Sequence, residues 1–370
     1  MAGKIKILQC NIQSMNKHKE ELQRVMMEED YSIALLSETW TQQTSEKSQQ
    51  YRMSSYHSVL QSREDGYGGA AIYLKNSLNF KQINLPALTR NTQAVAVHIL
   101  SVDLVIASVY SSPASFFNEF EDDINRVFDA LKSHKKVLIG GDWNAHHAEW
   151  GDDKNDREGS ILMELVNDYN LLILNDGSNT FIPIQLDKRA TAIDISMCSP
   201  ELYGEVGWHV LDFGVGSHHL GIQITLDRTT GKNEQRWIYN KNQIKEHLGK
   251  LDASKVENVK ELREQVGKAC KASRKRNKYT PKYWWSPTVE EAWLRKREAR
   301  KIFNRTSSIE NLIRFKKDAA IFQRRKKEEK QRKWEEFVDQ INPYASSKEL
   351  WTLVGKETGK RYHRKETTCY

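Results

Sequence analysis

The sequence predicts an α/β fold: a four-layer α/β sandwich of two packed β-sheets flanked by helices, followed by a basic, mostly α-helical region. Three observations carry this expectation. Short runs rich in β-branched residues and bounded by turn residues dominate as far as Leu226. A few helical patterns interrupt strands that otherwise follow one another in hairpin-like succession, as when helices cover packed sheets. The charge also changes sign along the chain, with 38 Lys+Arg and 19 Asp+Glu from Arg228 onward against 19 and 30 before it.

In order, the strand-like runs are KIKILQCNI, SIALLSETW, SYHSVLQS, GGAAIYLK, QAVAVHIL, DLVIASVY, KKVLIGGDWN, TAIDISM and HLGIQITL. Several are apolar throughout, the pattern of strands covered on both faces. HKEELQRVMMEED, FFNEFEDDINRVFDALKSH and EGSILMELVNDY are the helical patterns among them. Residues 1–227 therefore form the expected first domain, 228–280 a polar linker and 281–370 a basic helical region. In the last, Leu312, Phe315, Ala319, Phe322, Trp334, Phe337 and Ile341 recur on one helical face, and Ser307-Ser308-Ile309-Glu310 has the form of a capping box.

Composition excludes several classes. Cys10, Cys198, Cys270 and Cys369 are far apart and none has CxxC spacing, so neither a zinc site nor a disulfide framework is expected, and a reducing compartment fits. No apolar run reaches the roughly 18 residues of a membrane span, so no membrane partner is expected. MAGKIKILQCNI passes directly into a strand pattern and does not read as a signal peptide. An acidic unit joined to a basic one points to carboxylate chemistry in front and polyanion binding behind, centred on Arg324 to Lys333. A solvated helix face is the plainer account of that cluster.

The chemistry gathers at strand ends. IGGDWNAHHAEWG closes a buried strand with Asp142 and Asn144, and strand alternation puts these two on one side and Trp143 on the other. A carboxylate and an amide there suit nucleophile orientation and oxyanion binding, although the same residues also suit a turn. LLSETW ends at Glu38, a carboxylate fit for a hard cation; LQCNI ends at Asn11; IASVY ends at Tyr110. TAIDIS buries Asp194, which needs a partner, and SHHLGI supplies a histidine for it.

Taken in order, these motifs resemble the endonuclease/exonuclease/phosphatase superfamily. More narrowly, CNIQS, SETW, GYGGAAIYL, VYSSP, GGDWNAHHAEWG, NDGSNTFIP, ATAIDISMCSP and SHHLGI resemble the apurinic-like endonuclease of non-LTR (LINE-type; Jockey/I/R1-like) retrotransposon polyproteins. WWSP and the later SKELWTLVGKETGK resemble the segment that precedes the reverse transcriptase. No YxDD-type motif follows, so the chain reads as an N-terminal fragment without the polymerase.

The resemblance implies a Mg²⁺-dependent (or Mn²⁺-dependent) DNA endonuclease whose nick leaves a 3′-hydroxyl that primes reverse transcription. It assigns catalytic roles to Asp142, Asn144, His219, Asp194, Tyr110 and Glu38. Metal binding falls to Glu38 with Asn11, and DNA contact to Asn11, Tyr110 and Asn144; Arg189, near the expected DNA face, and His218, at an altered position, are further candidates for DNA contact. For Arg189 a solvated loop position is the alternative. The implied partners are double-stranded target DNA, the element's own RNA on the basic helices, and the reverse transcriptase domain; the implied site of action is the nucleus, after synthesis in the cytoplasm. A superfamily phosphatase, an abasic-site repair nuclease and a DNA-binding protein with weakened catalysis are the competing readings.

Two positions depart from the family pattern. Gln13 stands where repair enzymes have Asp, and His218 stands where related endonucleases have the Asp of Ser-Asp-His. His146 and His147 look like ligands, but loop packing or DNA contact is the expected role. Gly68 and Gly69 are expected at a close backbone approach, and Trp284 with Trp285 as a packing anchor.

Overall fold

The computed structural model describes residues 4–42, 51–113, 116–226, 249 and 281–339. The expected linker, apart from residue 249, and the SKELWTLVGKETGK motif with Ile341 lie outside the described residues. The chain divides into two compact units, Met1–Tyr279 and Thr280–Tyr370.

The first unit runs β1 (Ile5–Asn11), α1 (Met15–Glu28), β2 (Ile33–Ser37), β3 (Tyr56–Gln61), β4 (Ala70–Lys75), β5 (Phe80–Ile83), β6 (Thr92–Ile99), β7 (Leu104–Ser111), α2 (Phe117–Leu131), β8 (Val137–Asp142), α3 (Arg157–Asp168), β9 (Leu172–Ile173), β10 (Asp194–Cys198), α4 (Pro200–Tyr203), β11 (Val206–Val210) and β12 (Ile222–Leu226). The strands form two six-stranded sheets, ordered β11-β12-β1-β2-β4-β3 and β5-β6-β7-β8-β10-β9. Each has one parallel pair at its centre, β1 with β2 and β7 with β8, and antiparallel pairs elsewhere.

Three apolar clusters make the four layers. Ile7, Ile33, Leu35, Ile72, Val97, Ile106, Leu138 and Ile222 fill the space between the sheets. Leu22, Val25 and Met26 of α1 pack on the outer face of the first sheet with Leu8, Ala34 and Tyr73. Phe120, Ile124 and Phe128 of α2 and Leu162 and Val166 of α3 cover the second sheet over Val105, Ala107 and Ile139. The expected sandwich is therefore present. Strands β5, β9 and β11 add to the strands expected from the sequence. The first two are only four and two residues long, and the last alternates between half-buried and exposed positions.

The central strands are buried along their whole length because both faces are covered. Buried serines and one glutamine stitch the sheets together. Ser108 Oγ donates to Leu36 O at 3.1 Å, Ser37 Oγ donates to Val109 O at 3.1 Å, and Gln9 Nε2 donates to the carbonyls of Gly141 and Ile195. Gln9 Oε1 accepts from Ser196 Oγ, which accepts from Trp208 Nε1. Every polar atom of this seam has a partner, which is the condition for burying it. The seam also locks the relative slide of the two sheets directly behind Asp142.

In the second unit, α5 (Pro287–Arg305) and α6 (Ile309–Asp339) form a helical hairpin. Ser286 Oγ accepts from Val289 N and Pro287 occupies the first turn, where its missing N–H costs nothing. Trp284, Trp285, Val289, Trp293 and Phe322 form its core, so the two tryptophans act as a packing anchor. The cap of α6 lies one residue later than its capping-box pattern indicated. Ser308 Oγ accepts from Asn311 N at 3.2 Å, while Ser307 Oγ turns back to Phe303 O. Within the basic stretch, Arg324 and Arg325 pair with Glu328, Arg332 pairs with Glu329, and the Lys330 ammonium lies 4.3 Å from the centre of the Trp284 ring.

Candidate active site

Pairing geometry, more than any local motif, assembles the site. Parallel strands end on the same edge, so Asn11 at the end of β1 is the register partner of Ser37, and Glu38 follows. In the facing sheet Tyr110 of β7 is the partner of Asp142 at the end of β8. Antiparallel β10 begins where β8 ends, which sets Asp194 opposite Asp142. Two parallel pairs and one antiparallel neighbour thus deliver five of the candidate residues to one edge of the sandwich.

The side chains meet there. Asn11 Nδ2 donates to Glu38 Oε1 at 2.8 Å and to Asp142 Oδ2 at 2.7 Å, bridging the two sheets with one amide. His219 Nδ1 lies 2.7 Å from Asp194 Oδ2, and its Nε2 faces Asp142 Oδ2 at 3.9 Å. Ser217 Oγ donates to Asn11 O at 2.5 Å and accepts from His219 N, tying the histidine segment to β1. Phe181 packs against the imidazole with ring centres 4.8 Å apart. The other oxygen of Asp194, Oδ1, is buried without a hydrogen-bond partner among the described residues.

Strong coupling follows from this crowding. Burial pushes the Asp142 carboxyl up to about 7, and nearby Asp194 and Glu38 add to the rise, while His219 and the Asn11 amide oppose it. Burial alone would discharge His219, but the carboxylates of Asp194 and Asp142 outweigh it and hold the ring up to about 9. The Tyr110 hydroxyl is held protonated by burial and by the charges of Glu38 and Asp142. At neutral pH the cluster therefore holds a carboxylate near its midpoint beside an imidazolium.

Asn144 reaches the edge by a different route from the expected one. Strand β8 stops at Asp142, and Asn144 has a left-handed backbone (φ 48°), so a turn and not strand alternation sets its direction. Its Nδ2 donates to Ser111 O at 2.8 Å, next to Tyr110. Trp143 is buried in the core, with Nε1 donating to Ile195 O. Glu38 also has positive φ (49°) and stays half-buried at the mouth.

Arg189 lies outside this cluster, in an exposed pair with Asp153 at 2.6 Å. His218 is half-buried beside His219, and its carbonyl accepts from Ile182 N. His146 bonds Asp152 at 3.1 Å, and His147 accepts from Glu149 N and packs on Trp150, so both histidines build the loop after β8. Gly68 and Gly69 have positive φ and close approaches: a Cβ at Gly68 would lie 2.9 Å from the Tyr110 ring, and one at Gly69 2.5 Å from Thr39 Oγ1. Gln9 and Ser37 carry no local signal in the sequence, whereas Phe181 and Ser217 lie within the NDGSNTFIP and SHHLGI motifs.

Glu38, Asp142 and His219 offer ligand atoms within 4.8 Å of one another. Two carboxylates, with a third on Asp194 behind the histidine, form an oxygen-rich, net anionic donor set of the kind a hard divalent cation takes. Asn11 presents its amide N–H groups to these carboxylates, while its Oδ1 accepts from Gln13 N. It thus bridges the carboxylates with its nitrogen, and its oxygen, which accepts one hydrogen bond, keeps a second lone pair.

The two facing sheets, with a histidine–aspartate pair and acidic residues at one edge, have the endonuclease/exonuclease/phosphatase fold. Residues 104–223 match the family described as endonuclease-reverse transcriptase, and Tyr110, Asp142, Asn144, Asp194 and His219 all fall within that match. The RNA-directed DNA polymerase from mobile element jockey of Drosophila melanogaster is 28% identical over 236 residues, covering 63% of this chain and 25% of that protein. The probable RNA-directed DNA polymerase from transposon X-element of the same species is 26% identical over 227 residues, covering 60% and 24%. The endonuclease domain of TRAS1, a telomere-specific non-LTR retrotransposon, shares the fold with a TM-score of 0.51 at 24% identity, covering 62% of this chain and 100% of that one. The matched segment is similar to the endonuclease-reverse transcriptase family, and the chain spans about a quarter of the length of the curated relatives it matches.

Proposed function

We propose that this chain is the Mg²⁺-dependent DNA endonuclease portion of a non-LTR retrotransposon polyprotein, nicking double-stranded target DNA to leave a primer 3′-hydroxyl. The observation that carries the reading is Asp142, buried and raised to about 7, held between the Asn11 amide and a histidine that Asp194 orients. The name of the jockey relative and its length supply the polyprotein context.

Asp142 accepts a proton from the attacking water, because a carboxyl with this pKa is a competent base near neutrality. His219, protonated and fixed through Nδ1, offers Nε2–H to the phosphate. Tyr110 and Asn144 add donors to the same phosphate, and Ser111 O holds the Asn144 amide in reach. Each donor of this kind contributes roughly 3 kcal/mol to the transition state. Glu38 and Asp142 would hold the cation, with Asn11 beside them. The ion, when bound, neutralises charge on the phosphate and leaving oxygen. Mn²⁺ is an acceptable substitute for the same donor set.

The basic α5–α6 hairpin contacts the element's own RNA, the reverse transcriptase domain is the covalent partner in the longer polyprotein, and the nucleus is the site of action. A supercoiled plasmid tests the central reading. Nicking in Mg²⁺, its loss in EDTA, and direct extension of the nick by a polymerase are the expected results. No nicking of intact duplex, with hydrolysis of phosphomonoesters or of abasic sites instead, would favour the phosphatase or repair alternatives.

A further inference from the structure

A groove of about 870 Å³ opens beside the candidate active site, between the edge strand β3 and the strands β5 and β6. Its lining includes Arg63, Asp65, Thr89, Arg90 and Gln93. Gln93 joins it to the chemistry: it is the register partner of Tyr110, and its Oε1 accepts from Gly69 N. Arg63 is close enough for its charge to act on the Tyr110 hydroxyl.

The two arginines make few guanidinium hydrogen bonds to protein. Arg63 is only 16% exposed, yet it donates only through Nε, to Asp65 Oδ1 at 2.8 Å. Its two terminal nitrogens have no hydrogen-bond partner among the described residues. Arg90 Nη2 donates to the other oxygen, Asp65 Oδ2, at 3.2 Å, and its remaining guanidinium donors also have no such partner. One carboxylate therefore aligns two guanidinium groups and leaves several of their N–H groups for something else. A guanidinium with free donors suits a phosphate oxygen, for which its planar fork is matched.

The opposite wall is held in place. Thr89 N and Oγ1 both donate to the buried carboxylate of Asp123 on α2, Asn91 Nδ2 donates to Glu119, and Arg126 Nη1 donates to Ala87 O. The loop from 84 to 91 is thus pinned to the helix at several points, so the groove needs no ordering when a ligand enters.

We propose that this groove seats the backbone of the substrate DNA strand flanking the scissile phosphate, with Arg63 and Arg90 contacting its phosphates. The proposal rests on the DNA-cleaving reading above and adds two substrate-positioning residues to it. Such contacts hold the strand without reading its bases.

The test is binding of the full chain to a duplex of arbitrary sequence in EDTA, across a salt series, with Mg²⁺-dependent nicking measured alongside. Arg63→Gln and the surface variant Arg90→Gln should each lower affinity about tenfold on every sequence. Each should make the slope of log affinity against log salt shallower by about 0.9, the value of one lost phosphate contact. KM for nicking should rise by more than kcat falls, and Arg63→Lys should restore part of the affinity. Wild-type affinity and salt slope in both glutamine variants would overturn the groove while leaving the nuclease reading intact. A wild-type chain that neither binds nor nicks DNA would overturn that reading, and the groove with it.

Discussion

His219 holds Asp194 through Nδ1 at 2.7 Å and turns Nε2 toward Asp142 at 3.9 Å. The bond on one ring nitrogen sets the tautomer, the ring plane and the charge of the other. Replacing Asp194 with Asn offers a donor where the ring needs an acceptor. We expect the variant to fold and to lose nicking by about a hundredfold or more, the penalty of a misplaced histidine. Circular dichroism and a plasmid time course check both halves.

The pH profile follows from the same pair. Protonation of Asp142 below about 7 removes the base, and deprotonation of His219 above about 9 removes the donor. The rate should therefore be bell-shaped, with cation binding moving the acid limb to lower pH because it favours the ionised carboxylate. Asp194 raises the histidine pKa, so Asp194→Asn should move the basic limb downward in whatever activity remains.

Asp142 also costs stability. A carboxyl whose folded pKa lies above its ordinary 3.8 destabilises the fold once pH exceeds that value, and the cost is complete above about 7. The contribution of His219 runs in the same direction, being full below its ordinary 6.5 and lost as pH rises through about 9. In EDTA at pH 8, Asp142→Asn should thus raise stability by on the order of 2 kcal/mol while abolishing nicking. Mg²⁺ should raise the melting temperature of the wild type and not of the variant. Thermal melts with and without EDTA measure this.

His218→Asp places a carboxylate beside His219 where related endonucleases carry one. Retained or increased Mg²⁺-dependent nicking is the expected outcome. A loss beyond about tenfold, equivalent to 1.4 kcal/mol of barrier, would show that the imidazole has its own role.

Behind the site, Gln9→Ala removes the amide that holds the Gly141 and Ile195 carbonyls and leaves Ser196 Oγ without its acceptor. Several buried groups lose partners at once, so a cost of about 2–3 kcal/mol is expected in chemical denaturation, with a fall in kcat from the shifted Asp142–Asp194 rung.

Most of the site was legible because strand-end chemistry is local: Asn11, Glu38, Tyr110 and Asp142 close or follow an apolar run, and Asp194 and His219 open or precede one. The register that brings them together is not local. That Asp142 faces Asp194 depends on pairing of strands about fifty residues apart. For Asn144 the turn that its residue type also suits is the one formed: a left-handed turn and not the pleat directs it. The polar seam of Gln9, Ser37 and Ser108 gave no signal, because buried serines and a glutamine in strands resemble surface residues until both sheets are in place. Arg63 gives no signal either: the groove that it lines with residues 84–90 is assembled from segments apart in sequence.

The most direct test of the account is single-turnover nicking of supercoiled plasmid in Mg²⁺ by wild type, Asp142→Asn and His219→Ala, with folding verified by melting. The wild type should nick rapidly and each variant should lose at least about a thousandfold, since each substitution removes a group acting in the transition state. Nicking that persists at the wild-type rate in either variant would contradict it.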